Sequence, residues 1–193
     1  MFKKKHEFKP DKSRSGALNK LYITKKQRLA LARWLLMAAG LVVLSVVQDV
    51  IMSRLRVFGA TTDLVSCAIL MICVLLDPEE GCVFGLVSSA VYWFSGSAPG
   101  PYVIALLTVF GVAFSIIRHA YLYKGFGSTF LCTAGAMMLY ELAVFAVGLF
   151  LEYTTGARFG GFCLTGALSL LAVPVLYPIF VSIGKIGGES WKE

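Results

Sequence analysis

The sequence predicts an all-α membrane protein, a bundle of six transmembrane helices. Of its 193 residues, 58% are hydrophobic and 15% are charged, whereas a soluble domain carries about a quarter charged residues. Several apolar runs approach the roughly 20 residues that a helix needs to cross the hydrocarbon core. Backbone groups cannot stay unpaired in lipid, and the short alternating segments of a transmembrane barrel are absent. The runs are therefore expected to be helices.

Residues 1–28 form a basic arm before the first apolar run. Eleven of the 18 Lys and Arg residues lie within residues 1–33, and the chain carries a net charge of +7. Lys and Arg are enriched on cytoplasmic flanks, where they also attract anionic headgroups. The arm therefore predicts a cytoplasmic amino terminus at the lipid bilayer. Nucleic acid is not an expected partner, because no aromatic-interleaved basic surface appears elsewhere.

The six predicted spans follow one another through short connections. They cover residues 29–51, 63–76, 81–94, 102–117, 128–151 and 162–183. Thr62 or Asp63 is expected to cap the second span, and the segment 77–80 is expected to form a tight acidic turn. Pro174 and Pro178 should kink the sixth span. Residues 29–184 then form one transmembrane domain, residues 185–193 form a short tail, and both termini are cytoplasmic.

Cations are expected at the ends of two spans. Arg33 lies at the inner end of the first span, where a long side chain can snorkel to the headgroups. Arg118 and His119 close the fourth span, where positive charge complements the negative end of a helix dipole. These positions predict structural roles and no chemistry.

Small residues recur every four positions in the third span, at Gly81, Gly85 and Ser89. Such stripes let helix backbones approach closely in lipid, where packing drives association. Two interpretations stay open. The stripe packs within the chain, or it is reserved for a partner helix.

Glu141 lies thirteen residues into the fifth span, close to the expected bilayer centre. An acid there costs at least ~2.5 kcal/mol unless it is paired or protonated. It is interpreted as a polar anchor, a partner contact, part of a ligand site, or a protonated carboxyl bonded to a neighbouring helix. Tyr140 points about a third of a turn away and need not share its role.

Asp49 and Asp63 flank the connection between the first two spans, with Arg54 and Arg56 between them. Local pairing and capping explain these four residues, and an extracellular contact surface is the alternative.

Enzymatic motifs are absent from the sequence. There is no GxSxG, no HExxH, and no CxxC or Cys/His cluster among the five cysteines and two histidines. A serine or metal-dependent protease needs such arrangements. The chain is therefore not expected to be an enzyme, and no cofactor or metal is predicted.

A series of features runs from the first span to the fourth. Gln48 stands near the outer end of the first span, and residues 59–64 read GATTDL. Residues 81–86 read GCVFGL, and Ser95, Gly96 and Gly100 lie in the connection that follows. This order resembles the rod shape-determining MreD family, which shows a Gly-x-x-Pro-Asp-Leu signature, a glycine-rich third span and an S-G-x-x-x-G connection. In this chain Thr62 stands in place of the proline, and the acid usual in the third span is replaced near Tyr92.

This resemblance implies a non-enzymatic scaffold in the bacterial cytoplasmic membrane. It would bind MreC by helix packing, and through it connect to MreB and to the RodA and penicillin-binding-protein synthases that elongate the peptidoglycan wall. The residues expected to serve packing or partner contact are Gly81, Gly85, Ser89, Gly96 and Gly100. Those expected to act as polar anchors are Gln48, Asp63 and Glu141.

The resemblance also supplies an alternative function. MreD-like proteins are thought to share the six-helix fold of the substrate-binding S components of energy-coupling-factor vitamin transporters. An S component needs an extracellular pocket with several convergent polar side chains. Beyond Glu141 and scattered Ser and Thr, the sequence indicates few. The first span also lacks a clear Ala-x-x-x-Ala stripe for docking a transporter scaffold.

Overall fold

The structure, a computed structural model, describes residues 25–51, 60–123 and 125–186, and these are almost entirely helical. Seven α-helices occur within these ranges: α1 Lys25–Val50, α2 Leu64–Leu75, α3 Pro78–Phe94, α4 Tyr102–Tyr121, α5 Phe126–Phe150, α6 Phe159–Leu170 and α7 Val173–Gly184. A short 3-10 helix, Gly156–Arg158, precedes α6. Most of the basic arm and of the carboxy-terminal tail lies outside the described residues, as do Arg54 and Arg56.

Three helices are long and apolar enough to cross a membrane: α1 from Gln27 onward, α4 and α5. The segments Gly156–Leu170 and Val173–Gly184 meet at a bend of 49° and together qualify as a fourth. The described part of the chain is thus all-helical, with three to four candidate spans, as a multi-pass membrane protein requires. The count of six stays a prediction.

The predicted kink in the last span is confirmed. The break falls at Leu171 and Ala172, between α6 and α7. Pro174 occupies the first turn of α7, where its missing N–H leaves no hydrogen bond unmade, and Pro178 lies inside α7. The bend therefore precedes the first proline instead of lying between the two.

The predicted acidic turn at residues 77–80 is wrong in its extent. Helix α3 already begins at Pro78, with Asp77 as its N-cap residue and Glu79 and Glu80 in its first turn. Proline is favoured at the first helical position, and acidic side chains complement the positive end of the helix dipole. The chain reverses within Leu76 and Asp77.

Helix α2 lies at the centre of the bundle. All twelve of its residues are buried, and it contacts each of the six other helices. A helix that is apolar on every side belongs in a core, because it has no polar face to present to water. At about 1.5 Å per residue, α2 is only about 18 Å long.

Large apolar side chains cover the outside of the bundle. Val46 on α1, Val109 on α4 and Leu131 on α5 are each more than half exposed. A water-soluble bundle of this size would place polar residues at such positions. This surface therefore suits contact with lipid.

Candidate functional site

We call the two ends of the bundle the Asp63 end and the Asp77 end, after the residues that lie before and after α2. At the Asp63 end, three elements supply partners for the first backbone N–H groups of α2. The Asp63 carboxylate accepts from the Ser66 N–H at 3.1 Å, so the predicted N-cap is confirmed. Gln48 Oε1 on α1 accepts from the Val65 N–H at 2.8 Å. Ser169 Oγ on α6 accepts from the Asp63 N–H at 2.8 Å.

Tyr92 on α3 completes this arrangement. Its hydroxyl lies 3.2 Å from both carboxylate oxygens of Asp63 and donates to them. The resemblance expects an acid near this position, and a second carboxylate beside Asp63 would repel it. In this chain the Tyr92 phenol stands near that position, and its hydroxyl donates a hydrogen bond to Asp63.

At the Asp77 end, α4 supplies partners for the last carbonyls of α2. Ser115 Oγ donates to the Leu76 carbonyl at 2.8 Å. Arg118 donates to the Val74 carbonyl at 3.0 Å and to the Leu75 carbonyl at 3.4 Å. Arg118 and His119 lie in the last turn of α4, as predicted, and the Arg118 guanidinium also binds the end of the neighbouring helix α2. The sequence could not indicate this, since the two segments are about forty residues apart.

One ion pair and one contact between a histidine and a carboxylate also lie at the Asp77 end. Arg33 on α1 binds both carboxylate oxygens of Glu80 on α3, at 3.0 and 2.8 Å. His119 Nε2 lies 3.3 Å from an oxygen of Asp77. A carboxylate on the adjacent helix thus binds the Arg33 guanidinium, and the position of Arg33 relative to the headgroups stays a prediction.

The glycine stripe of α3 lies inside the bundle. A Cβ added to Gly81 would lie 3.0 Å from the Cys73 carbonyl oxygen, and one added to Gly85 would lie 3.1 Å from the Cys73 sulfur. Ser89 is fully buried and lies 3.4 Å from the Ile104 carbonyl. The chain's own helices α2 and α4 therefore occupy this stripe, and a partner has no access to it.

Gly96 and Gly100 shape the connection between α3 and α4. Gly96 has a φ of +79°, a conformation that glycine adopts without strain. A Cβ on Gly100 would lie 2.5 Å from the ring of Tyr102. Nearby, Ser97 Oγ donates to Asp49 at 2.9 Å and so ties this connection to α1.

A polar cavity of about 890 Å³ opens at the Asp63 end. Polar side chains from α1, α3, α4 and α5 and from the segment before α2 converge on it: Gln48, Asp63, Tyr92, Tyr102, Tyr140 and Glu141. The expectation that few polar groups converge is thus wrong, and Tyr140 lines the same cavity as Glu141. Residues that are distant in sequence supply most of this lining, so no local motif indicates it.

Glu141 is 5% exposed and lines this cavity. Gly166 on α6 leaves room for it, since a Cβ there would lie 3.3 Å from Glu141 Cγ. Among the described residues, no side chain or backbone group forms a hydrogen bond or ion pair with its carboxyl group. Of the three predicted polar anchors, Gln48 and Asp63 bind α2, whereas Glu141 faces the cavity.

An apolar groove of about 380 Å³ runs between α1 and α3, with α2 as its floor. Ala38 and Val42 line one wall, and Val83, Val87 and Val91 line the other. We call it the α1–α3 groove.

The chain matches no protein-family model, no curated protein and no solved structure.

Proposed function

We propose that the protein is an MreD-like integral membrane scaffold of the bacterial cell-elongation machinery. In this proposal it holds the transmembrane helix of an MreC-like protein, and through that partner it connects to MreB and to the RodA and penicillin-binding-protein synthases. The observation that carries the proposal is the α1–α3 groove, an apolar slot on the outside of the bundle.

The walls of the groove suit a helix. Val83, Val87 and Val91 follow one another at intervals of four residues on α3 and are 60%, 56% and 57% exposed. Valine has one strongly preferred rotamer in a helix, so packing a partner against it loses little side-chain entropy. Across the groove, Ala38 is small enough to let a second backbone approach, as helix pairs in membranes require.

The residues that carry the resemblance build the frame around α2. Gln48 and Asp63 bind its first turn, and Gly81 and Gly85 pack against Cys73 near its other end. A likeness in these residues is therefore a likeness in how the bundle is assembled. In this proposal, the resemblance to the MreD family reflects how the helices assemble around α2.

The proposed topology has six crossings and both termini in the cytoplasm. Helix α2 counts as a crossing despite its length, because it is enclosed by other helices and need not match the lipid thickness. Arg33 and Arg118 then lie at the cytoplasmic end, as the positive-inside rule favours. The Asp63 end faces the outside of the cell membrane.

Co-purification in mild detergent tests the scaffold function. The native protein should recover an MreC-like protein, and Val87→Trp, which fills the groove, should reduce the recovery at least about tenfold, since a bulky side chain prevents close helix packing. The matched control is Val109→Trp, because Val109 is 61% exposed on α4 and lies off the groove. Equal recovery by both variants would contradict the proposal.

The polar cavity favours a second function, capture of a small ligand as in an S component. Its volume lies within the range of about 300–1,000 Å³ that is typical of ligand sites. In that case the protein would co-purify with an energy-coupling transmembrane scaffold and its ATPases. A vitamin would also raise its unfolding temperature in a saturable way. The scaffold function predicts neither result.

A further inference from the structure

We propose that the polar cavity binds an organic ammonium group, whose positive charge lies against the Glu141 carboxylate. The inference does not rest on the scaffold function, because Tyr92 is the only described residue that lines both the cavity and the α1–α3 groove. If the protein captures a small ligand, the second function considered above, the inference names the chemical class of that ligand.

The first argument is the state of Glu141. The residue is 5% exposed and lines the cavity, and its carboxyl group has no hydrogen-bond or ion-pair partner among the described residues. A buried carboxylate without a partner is costly, and ionisable groups inside a membrane protein usually mark a ligand or ion pathway. A cation in the cavity would supply the missing partner.

The second argument is the charge of the lining. Asp63 and Glu141 contribute two carboxyl groups, and Arg158, which is exposed, is the one described cation on the cavity wall. The Asp63 carboxylate already accepts from Ser66 and Tyr92. Glu141 is therefore the group that remains available to a ligand.

The third argument distinguishes an organic cation from a metal ion. A divalent cation such as Ca²⁺ takes six to eight oxygen ligands. Within the described ranges, no three Asp, Glu, His or Cys side chains gather in a way that could hold a metal. The aromatic rings of Tyr92, Tyr102 and Tyr140 line the cavity instead, and aromatic faces attract ammonium groups.

Two sources could present this chemistry. One is the amine headgroup of a lipid such as phosphatidylethanolamine, which can reach a cavity at the end of a membrane bundle. The other is a free amine from the surrounding water. Both place the same ammonium group on Glu141.

The test uses the full chain in a maltoside detergent, which carries no ammonium group, with benzylamine as the probe. Benzyl alcohol, uncharged and similar in shape, is the matched compound. Isothermal titration calorimetry should show benzylamine binding at least about tenfold tighter than benzyl alcohol. Equal affinity would overturn the proposal without any variant.

Variants then assign the effect to Glu141. Glu141→Gln should abolish the preference for the amine, and Glu141→Asp, which retains the charge, should keep it in weaker form. Glu152→Gln is the control, because Glu152 is an exposed acid at the end of α5 that does not line the cavity. A preference for the amine that survives in folded Glu141→Gln would overturn the proposal. If Glu141→Gln does not fold, Glu141→Asp provides the test. Equal affinity of Glu141→Asp for benzylamine and benzyl alcohol would overturn the proposal.

Competition identifies the source. Short-chain phosphatidylethanolamine should displace benzylamine if the lipid headgroup is the ligand, with phosphatidylglycerol as the lipid control. If neither lipid displaces it, the site selects the free amine. Recovery of an MreC-like partner reports on the groove alone, so failure of one proposal leaves the other open to its own test.

Discussion

Asp63 connects three parts of the bundle through a single residue. Its carboxylate caps α2 and accepts from Tyr92 on α3, and its backbone N–H donates to Ser169 on α6. Backbone N–H groups at a helix start have no partner within the helix. Val65 and Ser66 are buried, so side chains around Asp63 supply the partners of their N–H groups.

Replacing Asp63 should therefore destabilise the fold. We expect Asp63→Ala to lower the free energy of unfolding by about 2 kcal/mol, since a cap is lost and the Tyr92 hydroxyl loses its acceptor. Glu152→Ala is the control, because Glu152 is exposed and exposed positions usually change stability by less than about 0.5 kcal/mol. Thermal unfolding in detergent measures both, and equal effects would contradict the capping role.

Arg118 performs the corresponding role at the other end of α2. Arg118→Met keeps the length of the side chain but leaves the Val74 and Leu75 carbonyls without their charged donor. A hydrogen bond to a charged group contributes about 1.5–3 kcal/mol to stability. We therefore expect the free energy of unfolding to fall by about 3 kcal/mol. Arg158→Met, at an exposed position, should have little effect in the same unfolding experiment. A wild-type unfolding temperature for Arg118→Met would show that water satisfies these carbonyls.

At the scale of the element, α2 and α3 are held together by a close approach at Cys73. A Cβ on Gly85 would lie 3.1 Å from the Cys73 sulfur, and overpacking of this kind costs about 1–3 kcal/mol. Gly85→Ala should be destabilising in the wild-type chain and less so in a Cys73→Ala background, where the sulfur is gone. A double-mutant cycle measures this coupling, and additive effects would contradict the proposed contact.

Gly160→Ala is the matched control for that cycle. Nothing lies within 4 Å of a Cβ added there, and alanine is favoured over glycine in a helix interior by up to about 1 kcal/mol. The same substitution should thus destabilise the chain at Gly85 and leave it unchanged or more stable at Gly160.

The elements themselves were largely predictable from local sequence. Apolar runs, Asp63 as a cap and the Pro174 bend are local signals, and the structure places each within a few residues of its expected position. The start of α3 was misplaced because the acidic residues after Pro78 resemble a turn. Local patterns do not distinguish a polar turn from a polar first turn of a helix.

The candidate site was less predictable than the elements. Gln48, Asp63 and Glu141 stand out as polar residues in apolar surroundings, but only the packing shows that Tyr92 and Tyr140 join them at one cavity. Aromatic residues in an apolar run are usually core residues, so their hydroxyl groups carry no separate signal in the sequence. The pairing of Arg118 with α2 likewise depends on contacts between distant segments.

At the scale of the whole molecule, the bundle presents two different surfaces built on one central helix. The polar cavity lies at the Asp63 end of α2, and the α1–α3 groove runs along its side. Val65 and Ile69 of α2 form the floor of the groove, and Asp63 just before them lines the cavity. A rigid α2, fixed at both ends by side chains of its neighbours, keeps both surfaces in shape.

Site-specific photo-crosslinking tests the central claim, that the α1–α3 groove holds a partner helix, most directly. A photoreactive residue at position 87, within the groove, should cross-link in native membranes to the transmembrane segment of an MreC-like protein. The same residue at position 109, equally exposed on α4, should not. Cross-linking of that partner from position 109 as strongly as from position 87, or from neither position, would contradict the account.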